Sequence, residues 1–413
     1  MQRTRVIAAL LLALPLLAGC YENDPLNSPD LSTSNGLMAR YVSMGNSITA
    51  GYQSAGINDS TQQRSYAVLF ANRANAPFFV PSLQGRGCAP PLTNNVTGAR
   101  VGGGTASTCD LRADQRLFYV SNVAVPGATS FSPTDNLSAF ANSNALTTFI
   151  LGGRTQVQAM QDASPTFVTA WIGNNDILGS FTSGSNPGNP ALITPQPVFE
   201  ANYSAMLDGI GATGASGALI GVVDVTAAPF ASRTAIYYCL TYTDPLRCVA
   251  PLPTTPDPNL AGLAALGRWT VLVNCAAPTG LATLIPWTIA LTKLKTAVAG
   301  LPQTMDCSND AQVVTPTELA GLQAATAGFN AYISSQAASR GMAYWDPNPV
   351  LLDLKATGAI PSIPNFAPAL ANLPVTFGNY FSLDGVHPST LTHQLVADSL
   401  VATVNAFFGT SIP

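Results

Sequence analysis

Hydrophobic positions in this chain follow two alternating patterns. Short continuous apolar runs lie at 40–44, 117–123, 166–172, 218–225 and 342–345, each bounded by Gly, Pro or polar residues. Between them are longer stretches in which apolar residues return every three or four positions. Runs without in/out alternation suit the central strands of a parallel sheet covered on both faces. The intervening stretches carry helix start signals. Thr194-Pro195 precedes an amphipathic stretch at 198–210. Thr315-Pro316-Thr317-Glu318 is a capping box with proline at the first helical position. Leu319, Leu322, Ala325, Phe329 and Ile333 follow it as a core-facing stripe. A last helix is predicted over 390–408, with Gly409 as its C-cap. Strands alternating with helices predict a three-layer α/β/α sandwich on a parallel sheet.

Two segments break the rhythm. Residues 81–114 are Gly-rich and hold two cysteines, which reads as a stapled loop. Residues 230–309 hold four cysteines, Trp269, Trp287 and many prolines. That is too long for a simple crossover and predicts an inserted, lid-like subdomain within a domain spanning 37–413.

The N-terminus belongs to export. Arg3 and Arg5 precede an apolar run from Val6 to Leu17, too short to span a bilayer, and small residues follow. Residues 1–19 therefore read as a signal peptide. Leu17-Ala18-Gly19-Cys20 resembles a bacterial lipobox, which makes Cys20 the expected lipidated first residue of the mature chain. Residues 20–36 are polar, Pro-bearing and aperiodic, as a tether would be. The expected location is a lipid-anchored position outside the cytoplasm. Tyr21, where an Asp would favour inner-membrane retention, leans it towards the outer membrane of a Gram-negative cell.

Charge excludes some partners. Only 9% of the 413 residues are charged and the net charge is −4, so no nucleic-acid footprint is expected. Of 7 cysteines, six remain after Cys20: Cys88, Cys109, Cys239, Cys248, Cys275 and Cys307. Six allow 15 pairings. Pairing of neighbours, 88–109, 239–248 and 275–307, is the expectation because each closes one local loop. No Cys-x-x-Cys occurs and neither histidine lies near a cysteine, so neither a metal nor a cofactor is expected. Oligomeric state is not readable.

The chemistry concentrates at the two ends of the domain. There are only 2 His in the chain, and His387 follows Asp384 in Asp384-Gly385-Val386-His387. Far upstream, the first apolar run ends in Gly45-Asn46-Ser47. Between these lie Pro126-Gly127 after the second run and Gly173-Asn174-Asn175-Asp176 after the third. These four blocks, in this order and context, resemble the SGNH (GDSL-type) hydrolases. The resemblance covers about residues 41–408 apart from the two stapled segments, and it implies the flavodoxin-like sheet of that family. It also implies Ser47 as nucleophile, His387 as general base, and Asp384 either orienting the imidazole or merely capping its turn. The backbone N–H groups of Ser47 and Gly127 and the amide of Asn175 would form an oxyanion hole. One position departs from the family pattern: Asn46 stands where the family has Asp, and its carbonyl oxygen can still accept the same backbone bonds. His393 is expected to pack or to face solvent. The implied function is hydrolysis of a carboxylic ester through an acyl-enzyme, acting on a small-molecule or lipid ester, with Trp269, Trp287 and the anchor leaning towards lipid. The alternatives are a polysaccharide or glycan O-deacetylase, or a non-catalytic binding lipoprotein on the same scaffold.

Overall fold

The computed structural model describes residues 36–111 and 119–413. The signal peptide, Cys20 and all but the last residue of the tether lie outside them. Four parallel strands form the central sheet: β1 (Tyr41–Gly45), β2 (Phe167–Trp171), β3 (Ser216–Ile220) and β4 (Ala343–Trp345), paired in that order. Every residue of β1 and β2 is buried, which explains why their sequences read as continuous apolar runs. Of the expected strand at 117–123, residues 117 and 118 lie outside the described residues, and the remainder runs as a short parallel track beside β1. Ser43 N–H donates to Ser121 O at 2.8 Å, Val123 N–H to Ser43 O at 3.0 Å and Val125 N–H to Gly45 O at 3.2 Å. Counting that track as the second strand in the chain, the spatial order is 2-1-3-4-5, the flavodoxin-like arrangement.

Helices cover both faces. On one side lie α4 (Gln196–Gly211) and α6 (Pro316–Ser339). There Phe199 stacks on Phe329 with ring centroids 3.8 Å apart. The capping box of α6 forms in both directions between Thr315 and Glu318. Its buried residues Leu322, Phe329 and Ile333 belong to the expected stripe, and Leu319 and Ala325 pack at the stripe's margin. On the other side α2 (Tyr66–Arg73) packs against α7 (Thr390–Phe408), which ends at Gly409 in the left-handed region.

The fourth predicted run ends sooner than expected. Strand pairing stops at Ile220, and the following backbone is held by side chains instead. Asn330 Oδ1 accepts from Val222 N–H at 2.6 Å, Asn174 Oδ1 from Val223 N–H at 3.1 Å and Asn348 Oδ1 from Asp224 N–H at 2.6 Å. These carbonyl oxygens satisfy the buried backbone that a ladder would otherwise satisfy, so the chain peels off the sheet over the carboxyl ends of the strands.

The insertion has its own core. Ala231–Arg233 pairs antiparallel with Leu284–Pro286, and Trp269–Val271 parallel with Gln303–Met305. Trp269, Tyr237 and four half-cystines pack together in a cluster distinct from those on the two faces of the sheet. The disulfides are Cys88–Cys109, Cys239–Cys248 and Cys275–Cys307. Trp269 and Trp287 are buried structural residues, so they give no support to a lipid substrate. Among the described residues no helix is long and apolar enough to cross a membrane.

The separate core of the insertion predicts separable stability. Opening the Cys275–Cys307 loop by replacing both cysteines with alanine should cost about 3–4 kcal/mol in the chain-entropy model. Hydrogen exchange should then lose protection across 231–307 while β1 and β2 stay protected. Equal loss in β1 and β2 would mean that the two cores are one cooperative unit.

Candidate active site

The site is built at the point where strand order reverses, the place where open α/β sheets bind ligands. β1 ends at Gly45, whose peptide is gripped by the buried amide of Gln156: Gly45 N–H donates to Oε1 at 3.1 Å, and Nε2 donates to Gly45 O at 3.0 Å. A Cβ on Gly45 would collide with the Thr49 side chain. The chain then turns at once into α1 (Ser47–Ala50), with Asn46 as N-cap accepting from Ile48 N–H at 3.0 Å. That cap bond needs only an oxygen, so Asn serves as well as Asp there. Ser47 is thereby set at the first position of a helix, 7% exposed.

The structure brings Ser47, His387 and Asp384 together. Ser47 Oγ lies 2.9 Å from His387 Nε2, and His387 Nδ1 lies 2.9 Å from Asp384 Oδ2. Asp384 also accepts from the backbone N–H groups of Val386 (2.9 Å), His387 (2.8 Å) and Ala55 (2.6 Å), and from the Ser382 hydroxyl at 3.2 Å. Burial alone would raise its pKa. The His387 charge and these hydrogen bonds outweigh burial and hold the carboxyl down at about 2. An ionised carboxylate can only accept, so the His387 proton sits on Nδ1 and the Nε2 lone pair faces Ser47.

Two features around this chain of bonds were not legible in the sequence. Ser54 and Ala55 both adopt left-handed backbone, with φ of 53° and 50°. Their turn presents Ala55 N–H to Asp384, while Ser54 exchanges hydrogen bonds with Ser382 and Leu383. Tyr52 packs its ring against the imidazole with centroids 4.9 Å apart.

The predicted oxyanion donors meet beside Ser47. Ser47, Gly127, Asn175 and His387 all line one open cavity. Gly127 has φ +87°, and a Cβ there would press on the Asn142 amide. Three asparagines hold this loop by consecutive carbonyls: Asn144 Nδ2 to Pro126 O (2.9 Å), Asn142 Nδ2 to Gly127 O (2.8 Å) and Asn175 Nδ2 to Ala128 O (2.8 Å). With its carbonyls tied back, the loop leaves Gly127 N–H without an acceptor among the described residues, and Ser47 N–H is likewise unengaged. Asn175 spends one amide hydrogen on Ala128 and keeps one. Neither Asn142 nor Asn144 carried a sequence signal beyond their turn-forming residue type.

Asp176, next to Asn175, is 1% exposed and accepts from Ser130 N–H at 2.8 Å and Ser130 Oγ–H at 2.6 Å. It fastens the far side of the Gly127 loop to the helix that carries Asn175. Burial pushes its carboxyl up to about 6 despite the Ser130 bonds. His393 stands apart from the site. It is fully buried, its Nδ1 accepts from Tyr66 N–H at 3.2 Å, and burial first and the His387 charge second lower its pKa to about 3. No group of His, Cys, Asp or Glu among the described residues could hold a metal ion.

No family model matches this sequence, and no curated protein matches it. Among solved structures 19 chains match. The crystal structure of TesA is 12% identical over 89% of this chain and 98% of its own, with a TM-score of 0.34. The acetyl xylan esterase AlAXEase is 10% identical over 88% and 99%, with a TM-score of 0.33. A protein described as GDSL-like lipase from Parabacteroides merdae is 11% identical over 90% and 99%, with a TM-score of 0.35.

Asp176 generates a pH prediction. Its folded pKa of about 6 lies above the value of roughly 3.9 in an unfolded chain. Between those values the folded state binds more protons, so this group stabilises the fold below about pH 4 and that contribution is lost as pH rises through 6. Asp384 has the opposite sign and acts lower, its contribution being lost as pH falls from about 4 towards 2. Denaturant titrations of wild type and Asp176→Asn across pH 4–7 should differ in slope by about 2–3 kcal/mol over the range. Parallel profiles would show that Asp176 does not titrate there.

Proposed function

We propose that this chain is a serine esterase of the SGNH (GDSL) type, hydrolysing carboxylic esters through an acyl-enzyme on Ser47. The observation that carries the reading is the hydrogen-bonded series Ser47–His387–Asp384, with two steps of 2.9 Å, beside unengaged N–H groups in one cavity. A serine hydroxyl is a weak nucleophile until a base within hydrogen-bond reach takes its proton. Here His387 Nε2 accepts the Ser47 proton as Oγ attacks the ester carbonyl. The negative charge that develops on the carbonyl oxygen is met by Ser47 N–H, Gly127 N–H and the remaining Asn175 amide hydrogen. His387 then protonates the departing alcohol, and a water activated by the same imidazole releases the acid. Asp384 stays ionised throughout, holding the tautomer and stabilising the imidazolium. A scaffold used only for binding would have no need to tie three consecutive carbonyls away from the N–H of Gly127.

The kinetic test separates these roles. Ser47→Ala and His387→Ala should each lower turnover of p-nitrophenyl esters by about 10⁴-fold or more, and the double variant should be little worse. Asn175→Ala should cost roughly 10²- to 10³-fold with little change in KM. His393→Ala should unfold more easily, yet turn over close to wild type per folded molecule. An active Ser47→Ala protein, or loss at His393 without loss at His387, would contradict the assignment.

We also propose that the enzyme is exported and held at the membrane, toward the outer membrane, by lipid on Cys20. The lipobox-like Leu17-Ala18-Gly19-Cys20 supports this reading. Cys20→Ser should move the protein from the membrane fraction to the soluble fraction with its esterase activity retained. Persistence in the membrane fraction would contradict the anchor.

A further inference from the structure

Ser47 and His387 stand between two cavities of different character. One is the open cavity on the Gly127 side, whose lining includes Tyr52, Asn144 and Asn175. The other is narrower and more enclosed, with about 100 Å³ open to the centre of a water-sized sphere. Its walls are apolar: Trp171, Leu178, Phe181, Val223, Trp345 and Leu354 among them. It lies where the cores from both faces of the sheet meet the small cluster of Leu351 and Ile360. No residue of 230–309 lines either cavity, and the segment meets the enclosed one only from behind, where Phe230 packs on the wall residue Phe181 with ring centroids 5.7 Å apart.

We propose that the enclosed cavity is an acyl-chain channel, and that the alcohol part of the ester occupies the open side. This rests on the esterase reading above and adds the class of acid: a medium-length, unbranched fatty acyl group. Both parts of an ester must diverge from the carbonyl at Ser47, and only one of the two cavities is apolar enough to take a chain out of water. The other keeps polar groups and solvent access, which suits a departing alcohol that must be protonated and released. Length follows from the sheet. Its lining is spread across the sheet, from Ser47 after β1 through Trp171 of β2 and Val223 beyond β3 to Trp345 of β4. Three strand spacings of about 4.8 Å give roughly 14 Å. An extended chain of single bonds advances about 1.2 Å per bond, by analogy with a backbone residue of three bonds. The channel therefore accepts roughly ten to twelve carbons.

The test uses the full chain and two ester series below their micellar concentrations. In p-nitrophenyl esters, kcat/KM should rise about three- to fourfold per methylene from acetyl until roughly the ten-to-twelve-carbon limit, then stop rising. In acetate esters of straight-chain alcohols it should change little with alcohol length. Ala228 lines the channel and is small, so Ala228→Leu should cut the decanoyl-to-butyryl ratio of kcat/KM by at least about tenfold. If that variant does not fold, Leu354→Trp should lower the same ratio. A flat or falling acyl series, a steep alcohol series, or an unchanged ratio in a folded channel variant would overturn the channel and leave the esterase reading standing. Absence of hydrolysis with every ester would instead remove the esterase reading on which it rests.

Discussion

The site depends on one buried carboxylate. Asp384 accepts from His387, from two backbone N–H groups of its own turn, from Ser382 and from Ala55. The first three bonds shape the turn and aim the imidazole. The bond to Ala55 joins that turn to the loop that follows the short helix beginning at Ser47, across a sequence separation of 329 residues. An isolated buried carboxylate would take up a proton rather than stay charged. Here the surrounding donors and the imidazole reverse that tendency and keep it ionised. The same contacts therefore set the His387 tautomer and close the two ends of the domain onto each other.

Asparagine does much of the internal fastening in a chain with few charges. Asn142, Asn144 and Asn175 tie down the Gly127 loop, while Asn174, Asn330 and Asn348 hold the backbone where it leaves β3. A neutral amide both donates and accepts, so it can satisfy buried backbone without the desolvation cost of an ion. The consequence is geometric. Carbonyls tied back on one side leave Gly127 N–H without an acceptor among the described residues, and where the chain leaves β3 after Ile220 its Val223, Val225 and Ala228 line the apolar cavity.

Much of the frame was legible because it depends on local pattern. The buried runs of β1 and β2, the capping box at Thr315 and the Gly409 cap all appear where apolar period and cap chemistry put them. The end of β3 was not legible, since Val222 and Val223 continue an apolar run while their backbone is held by side chains distant in sequence. Trp269 and Trp287 misled for a related reason: large apolar residues in a Cys-rich insertion look equally like a lid or a core, and here they are core. The four motif blocks named residues that the structure brings together and included Asp176 without its fastening role, but they did not point to Gln156 or Ala55, whose contacts arise only from tertiary approach.

Ser47, activated by His387, is the proposed nucleophile. The most direct measurement is the site of covalent modification by a fluorophosphonate, read by peptide mass mapping of the full chain. One phosphonyl adduct is expected, on the peptide carrying Ser47, with labelling lost in His387→Ala and preserved in folded His393→Ala. An adduct on another residue, or undiminished labelling of Ser47 in folded His387→Ala, would contradict it.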